Sequence, residues 1–372
     1  MNAGTQGPIG VCFISPGIYP LFNPSIHGVL GGAQVDIYMI ASELAMDKRF
    51  CVSIITDHFD QSGVEAMDNL IIYKTPKIQN VPLRSSRALW KSMGKANASI
   101  YFAKGASLTT ALVALFCHIG RRVFILRTSS DFECDGSYLR TYPLKGKCFL
   151  WSLKVARQVI VQNTAGVSKL KQSMNVDAVA LANGHRIPGF QDNPREFILW
   201  VGRIADVKQP RLFFQLAQEF PCERFVMICQ ARRGDRRYEG LIDEASGIDN
   251  LQFIKSVPFH EIGYYFRQAK VLVNTSRSEG FPNAFIQAGA YGATILSLQV
   301  NPDGFLDRFN CGLCACGDWV RFVDSLKYLL HEDQYKRMGE KARKYVGKNH
   351  EISTIIEQYK DYFMKSMEPK RI

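Results

Sequence analysis

Hydrophobic residues in this chain come in short runs separated by helix-spaced stretches. Residues 11–15 form an apolar run stopped by Pro16 and Gly17, which predicts a first strand. A loop through Pro20, Pro24 and Gly28 leads to Gly31 and Gly32, after which Ala33, Ile37, Ile40, Ala41 and Leu44 recur at helical spacing. Further strands are expected at 51–56, 70–73, 99–102, 123–126 and 159–161, with helices at 87–95, 108–117 and 149–157 between them. The pattern breaks at residues 183–189 and stays polar to Arg195. It then restarts, with strands at 197–201, 225–229, 251–254, 271–274 and 294–298 and a basic loop at 232–237. The helices of this half are expected at 211–219, 262–267, 283–291, 319–330 and 334–346. Such alternation predicts an α/β protein with mainly parallel sheets covered on both faces.

A length of 372 residues exceeds one ordinary core and suits two such domains, divided near 187 and 188. With 47% hydrophobic residues, disorder is excluded as the dominant state. The net charge of +12 favours a polyanion, an anionic membrane face or a phosphorylated substrate, without choosing among them. Ten scattered cysteines with no disulfide framework point to reduced, mostly buried thiols and a cytoplasmic setting. No apolar run is long enough to span a membrane, and the polar, Gly-rich stretch 1–8 does not read as a signal peptide.

Candidate chemistry concentrates in the second half. Val201-Gly202-Arg203 ends a predicted strand, and Lys208 follows in the next loop or first helical turn. Two cations at a strand's C-terminal end can hold a diphosphate and neutralise it as it leaves. Charge alone fits a solvated surface pair equally well. Ser278-Glu279-Gly280-Phe281-Pro282-Asn283 follows the strand at 271–274. There a carboxylate can accept hydrogen bonds from sugar hydroxyls, Gly280 admits a close backbone approach, and Pro282 and Asn283 suit a helix start. Read alone, the same loop could be a simple cap.

Other chemistries find little support. No G-x-G-x-x-G follows the first strand, which argues against a dinucleotide cofactor, and no G-x-x-x-x-G-K loop or G-x-S-x-G elbow is present. Nucleic-acid-binding signatures are missing, so no nucleic-acid partner is expected. Cys311, Cys314 and Cys316 lack a fourth ligand at metal spacing, so no metal is expected and packing around a turn is the better account. Arg84, Arg87, Lys91 and Lys95 surround Leu89 and Trp90, and Lys145 and Lys147 lie near Phe149 and Trp151. Basic stems with exposed aromatics can rest on an anionic lipid surface, whereas a solvated helix face over a buried Trp is the plainer reading of either stretch.

Taken together, the glycine pair in the first loop, V-G-R with a lysine five residues on, S-E-G-F-P-N, and Gly312 before the acidic turn at Asp318 resemble the retaining glycosyltransferases of GT-B architecture, and within them glycosyltransferase family 4. The resemblance runs over nearly the whole chain and is strongest over 183–312. It implies two Rossmann-like domains facing across a deep cleft: an acceptor domain (1–187), a nucleotide-sugar domain (188–350) and a final helix (351–372) returning to the first domain. It implies that Arg203 and Lys208 grip the diphosphate and that Glu279 holds the sugar hydroxyls, as the catalytic group of residues. Gly31, Gly32, Gly202, Val257, Pro258, Gly280, Phe281, Pro282, Asn283 and Gln287 would bind the donor, a UDP- or GDP-linked sugar, with no other cofactor.

Two positions depart from the family pattern. Gln287 stands where the family usually carries a glutamate for the ribose diol, which removes a charge-assisted hydrogen bond worth roughly 1 kcal/mol. Ser130 stands near the place of a histidine close to the sugar, with Arg127 and Asp131 as candidate compensating contacts to sugar or acceptor. The implied activity is retaining, metal-independent transfer of a hexose-type sugar to a glycan or lipid-linked acceptor in surface polysaccharide or glycolipid synthesis, in the cytoplasm or on the inner face of the membrane. Two alternatives stay open: a catalytically impaired nucleotide- or glycan-binding partner protein, and, ranked lower, a sugar epimerase or phosphorylase of the same fold.

Overall fold

The computed structural model describes residues 7–26, 28–59, 63–76, 83–189, 191, 193–231 and 235–368. The chain divides into two compact units. One runs to Gly184 and resumes at Ile352; the other is His185–Glu351. Of the basic loop expected at 232–237, residues 232–234 lie outside the described residues.

The first unit is built in chain order from β1 (Ile9–Ile14), α1 (Gly32–Leu44), β2 (Phe50–Asp57), β3 (Gly63–Met67), β4 (Leu70–Thr75), α2 (Leu83–Ala96), β5 (Ile100–Lys104), α3 (Leu108–Ile119), β6 (Val123–Arg127), α4 (Ser137–Thr141), α5 (Pro143–Val155), β7 (Gln158–Val161), α6 (Thr164–Met174) and β8 (Val179–Ala180). Its sheet has the order β3-β4-β2-β1-β5-β6-β7-β8. All neighbours are parallel except the β3–β4 pair at the edge. The central strands are apolar on both faces, as a doubly covered sheet requires. Cys12, Ile14, Tyr101 and Phe124 face one side, with Leu89, Val113, Phe149 and Leu170 from the helices packed over them.

The second unit comprises β9 (Phe197–Arg203), α7 (Pro210–Glu219), β10 (Phe225–Gln230), α8 (Arg236–Ser246), β11 (Leu251–Ile254), α9 (Ile262–Gln268), β12 (Ala269–Asn274), α10 (Asn283–Ala290), β13 (Thr294–Ser297), α11 (Phe305–Arg308), β14 (Gly312–Cys314), α12 (Trp319–Leu330) and α13 (Gln334–Asn349). Its sheet is parallel, in the order β11-β10-β9-β12-β13-β14. Alternate strand residues divide between two apolar layers. Ile198, Trp200 and Met227 join Phe213 and Phe322 on one side, while Phe197, Leu199 and Val226 join Phe285 and Val346 on the other.

The last helix, α14 (Ile352–Met367), belongs to the first unit. Phe363 is fully buried there, its ring 6.3 Å from those of Phe13 and Phe102. Lys360 holds Asp47 at 3.0 Å.

Candidate functional site

Strand order reverses between β9 and β12, because β9 is followed on one side by β10 and on the other by β12. At such a switch point the connections leave in opposite directions and open a crevice beyond the strand ends. The loops there carry Arg203, Lys208 and Glu279. After β9 the chain makes a short 3-10 turn over Asp206–Lys208, and Gln209 adopts φ 45° before Pro210 starts α7. After β12 the chain runs on to Pro282, the N-cap of α10.

The two loops are stitched together. Thr275 Oγ1 donates to the Lys208 carbonyl at 2.6 Å, and the Arg277 N–H donates to the Val207 carbonyl at 2.8 Å. Trp200 Nε1, from inside β9, donates to Thr275 Oγ1 at 3.0 Å. Gly202 makes room for that indole: a Cβ on it would lie 2.7 Å from Trp200 Cη2. Neither Trp200 nor Thr275 drew attention as a site residue in the sequence. The usable signal was W-x-G, since strand residues two apart share a face and a glycine there leaves space for a ring.

On this frame the Lys208 ammonium lies 2.7 Å from Glu279 Oε1, with side chains 25% and 16% exposed. Asn274 Nδ2 donates to the same oxygen at 3.0 Å. Burial pushes the Glu279 carboxyl up. The Lys208 charge and hydrogen bonds from Lys208, Asn274 and Ser276 more than offset this and hold it below the usual carboxylate range. Glu279 is therefore an anion at neutral pH, fixed in place with an edge toward solvent. Arg203, the last residue of β9, is exposed.

The other expected donor contacts divide by environment. Gly280, Phe281 and Pro282 are buried, and the Phe281 ring lies 5.1 Å from Phe305 and 4.6 Å from His350. The Phe281 side chain is therefore spent on packing within the second unit. Asn283 opens α10, and Gln287 lies one turn later, buried. Val257 is part of the core, whereas Pro258 is exposed.

In the first unit, Gly31 caps α1 and its N–H donates to Gln34 Oε1 at 3.1 Å, so that amide already has a protein acceptor. Arg127, an expected sugar or acceptor contact, is 0% exposed. Its Nε is 3.0 Å from Asp36 Oδ2, it donates to Asn183 Oδ1, and its guanidinium lies over the Tyr359 ring. Arg127 has no surface to offer a ligand in this structure, because α14 covers it. Lys104 shares the same carboxylate oxygen at 2.6 Å. Ser130 and Asp131 remain partly exposed, with Asp131 paired to Lys169 at 2.5 Å.

Cys311 and Cys314 are buried and Cys316 is exposed, all as free thiols. Burial pushes the Cys311 thiol up to about 12 and the Cys314 thiol up to about 11. Among the described residues, no group of three His, Cys, Asp or Glu side chains is arranged to hold a metal ion. Nor is any helix there long and apolar enough to cross a membrane.

Comparison with known proteins bears on the fold and on the second unit. Residues 185–345 match the family described as Glycosyl transferases group 1. Over 159 residues the chain is 26% identical to D-inositol 3-phosphate glycosyltransferase of Frankia alni, a match that covers 39% of each protein. Sucrose-phosphate synthase from Thermosynechococcus elongatus superposes with a TM-score of 0.78 over 96% of this chain and 98% of its own, at 16% identity. A trehalose-6-phosphate protein from E. coli, bound with UDP-2-fluoro glucose, gives 0.70 over 97% and 99%, at 12% identity. Likeness at such identities speaks for the fold. The chain thus has a GT-B-type fold of two Rossmann-like units, and residues 185–345 of the second are similar to Glycosyl transferases group 1.

Proposed function

We propose that this chain is a retaining glycosyltransferase. It moves a hexose-type sugar from a UDP- or GDP-linked donor to a glycan or lipid-linked acceptor in surface polysaccharide or glycolipid synthesis. The observation that carries this reading is the Lys208–Glu279 pair, held at 2.7 Å where β9 and β12 end side by side.

In this reading the bond from the anomeric carbon to the diphosphate breaks while the acceptor oxygen bonds to the same face of the ring. Negative charge collects on the leaving phosphate, and Lys208 and Arg203 meet it. Interactions that strengthen as charge develops lower the barrier, whereas those equal in both states do not. Glu279, ionised and pinned by Lys208 and Asn274, accepts hydrogen bonds from the sugar hydroxyls and orients the ring. The acceptor's proton passes to a departing phosphate oxygen. Two side-chain cations neutralise the diphosphate, and the scheme calls for no metal. Gln287, one turn into α10, faces the ribose diol with an amide in place of a carboxylate.

The test is nucleotide release from a panel of UDP-, GDP- and ADP-hexoses, with product stereochemistry read by NMR. Lys208→Ala and Arg203→Ala should each lower turnover at least about 100-fold, the usual effect of deleting one group that stabilises developing charge. Unchanged kinetics in both variants would remove the site assignment, and an inverted product would remove retention. Gln287 and Ser130 favour a second reading, a nucleotide-binding partner without turnover. Donor binding with no release or hydrolysis of any nucleotide sugar would select it.

A further inference from the structure

The chain's positive charge is not evenly spread. Stretches 69–130 and 136–176 contain no Asp or Glu, yet hold ten and seven Lys or Arg, so the +12 excess is concentrated in the first unit. Two helices of that unit, α2 and α5, present this charge, and α3 beside them adds exposed apolar side chains. On α2, Arg84, Arg87, Lys91 and Lys95 are all exposed, at spacings of three and four residues that place them along one stripe. On α3, Leu108, Leu115 and Ile119 form an exposed apolar stripe. On α5, Leu144, Lys147, Trp151 and Lys154 alternate apolar and basic along one face, with Leu144 81% and Trp151 37% exposed. Between the helices lies an open, mostly apolar groove of about 570 Å³, lined by Leu108, Leu112, Leu115, Lys147 and Trp151 among others. Trp90, the other aromatic of the basic stretches, takes no part: its ring packs edge-on at 5.0 Å against Phe116.

We propose that this α2–α3–α5 face docks on an anionic lipid bilayer. The basic stripe of α2 and Lys147 would meet the headgroups, Trp151 would sit at the interfacial level, and the Leu108–Leu115 groove and Leu144 would enter the upper acyl region. Charge complementarity selects this occupant. A second copy would bring two strongly basic faces together, which costs affinity through like-charge repulsion. A nucleic-acid or acidic protein surface would satisfy the cations but leave the exposed leucines without an apolar partner. This inference is independent of the transfer chemistry.

The experiment is co-sedimentation of the full chain with phosphatidylcholine vesicles, with and without phosphatidylglycerol. Each basic residue near an anionic surface contributes about fivefold in affinity, so Arg87→Ser with Lys91→Ser should weaken binding about 25-fold. Leu144→Ser with Trp151→Ser should weaken it at unchanged ionic strength, since these replacements remove apolar contact and no charge. All four positions are exposed, and an unchanged thermal melt identifies variants that still fold. Binding that requires phosphatidylglycerol and falls in both double variants supports the proposal. It is overturned by equal pelleting with neutral vesicles, or by binding that ignores the Leu144 and Trp151 changes and is matched by soluble polyglutamate. A dimer in sedimentation velocity that Leu144→Ser dissolves also overturns it, assigning the face to self-association.

Discussion

Replacing Lys208 by alanine separates its structural role from its chemical one. The ammonium and the Glu279 carboxylate are 2.7 Å apart, with side chains 25% and 16% exposed. Exposed pairs contribute about 0–1 kcal/mol, and cutting one partner from a fully buried pair costs about 3–5 kcal/mol. This pair lies between those limits, so Lys208→Ala should cost about 2 kcal/mol at neutral pH. In a domain of this size that lowers the melting temperature by about 4–8 °C. The pH dependence has a definite sign. In the native protein the Glu279 carboxyl lies below its ordinary value, so the stability it lends is present above that value and is lost as pH falls through the lower folded one. Without Lys208, only the Asn274 and Ser276 hydrogen bonds oppose burial, so the carboxyl rises relative to the native protein and the variant should regain stability relative to it as pH falls. Adding Glu279→Gln should restore most of the 2 kcal/mol at neutral pH by removing the stranded charge. Turnover should stay at least about 100-fold down in the double variant, because the cation proposed to meet the leaving phosphate is still missing. Thermal melts from acid to neutral pH and initial rates with the preferred donor measure both quantities. Recovery of full activity in the double variant would refute the reasoning, since Lys208 would then serve only to neutralise Glu279.

Other expectations follow from the same geometry. Gly202→Ala places a Cβ 2.7 Å from the Trp200 ring, so the indole that ties β9 to Thr275 must shift. Overpacking of this kind costs about 1–3 kcal/mol, read by denaturant titration, with an altered near-UV signal from the displaced tryptophan. Asp36→Asn removes the carboxylate that pairs with both buried Lys104 and Arg127 and should destabilise the protein by about 3–5 kcal/mol; a cost under about 1 kcal/mol would show the cluster is solvated. Burial pushes the Lys104 ammonium down to about 8, despite the opposing pull of Asp36. The unfolded chain then binds more protons between that value and the ordinary lysine range, so stability should rise with pH across this window, and Lys104→Met should flatten the rise. Gln287→Glu should tighten nucleotide binding about fivefold if the residue faces the ribose diol, measured by calorimetry with UDP and GDP.

Much of this protein was legible in its sequence because strand and helix periods are local properties. The apolar runs gave the central strands of both sheets, and V-G-R, Lys208 and S-E-G-F-P-N marked the loops that hold Lys208 and Glu279. Edge strand β3 escaped notice, since its Gly-Val-Glu-Ala-Met run is partly exposed and lacks an apolar pattern. Side-chain environment was the harder part. Arg127 reads as a sugar or acceptor contact, yet Tyr359 and Asp36, remote in sequence, enclose it. Trp90 and Trp151 both sit among basic residues, yet only Trp151 is left exposed, because Phe116 of α3 covers the other. The sequence by itself determined the elements, their order and the residue types able to grip a diphosphate. The tertiary structure alone decided that β9 and β12 lie side by side, which brings Lys208 to Glu279 and buries Arg127 among partners, because strand order and burial depend on contacts between residues far apart along the chain.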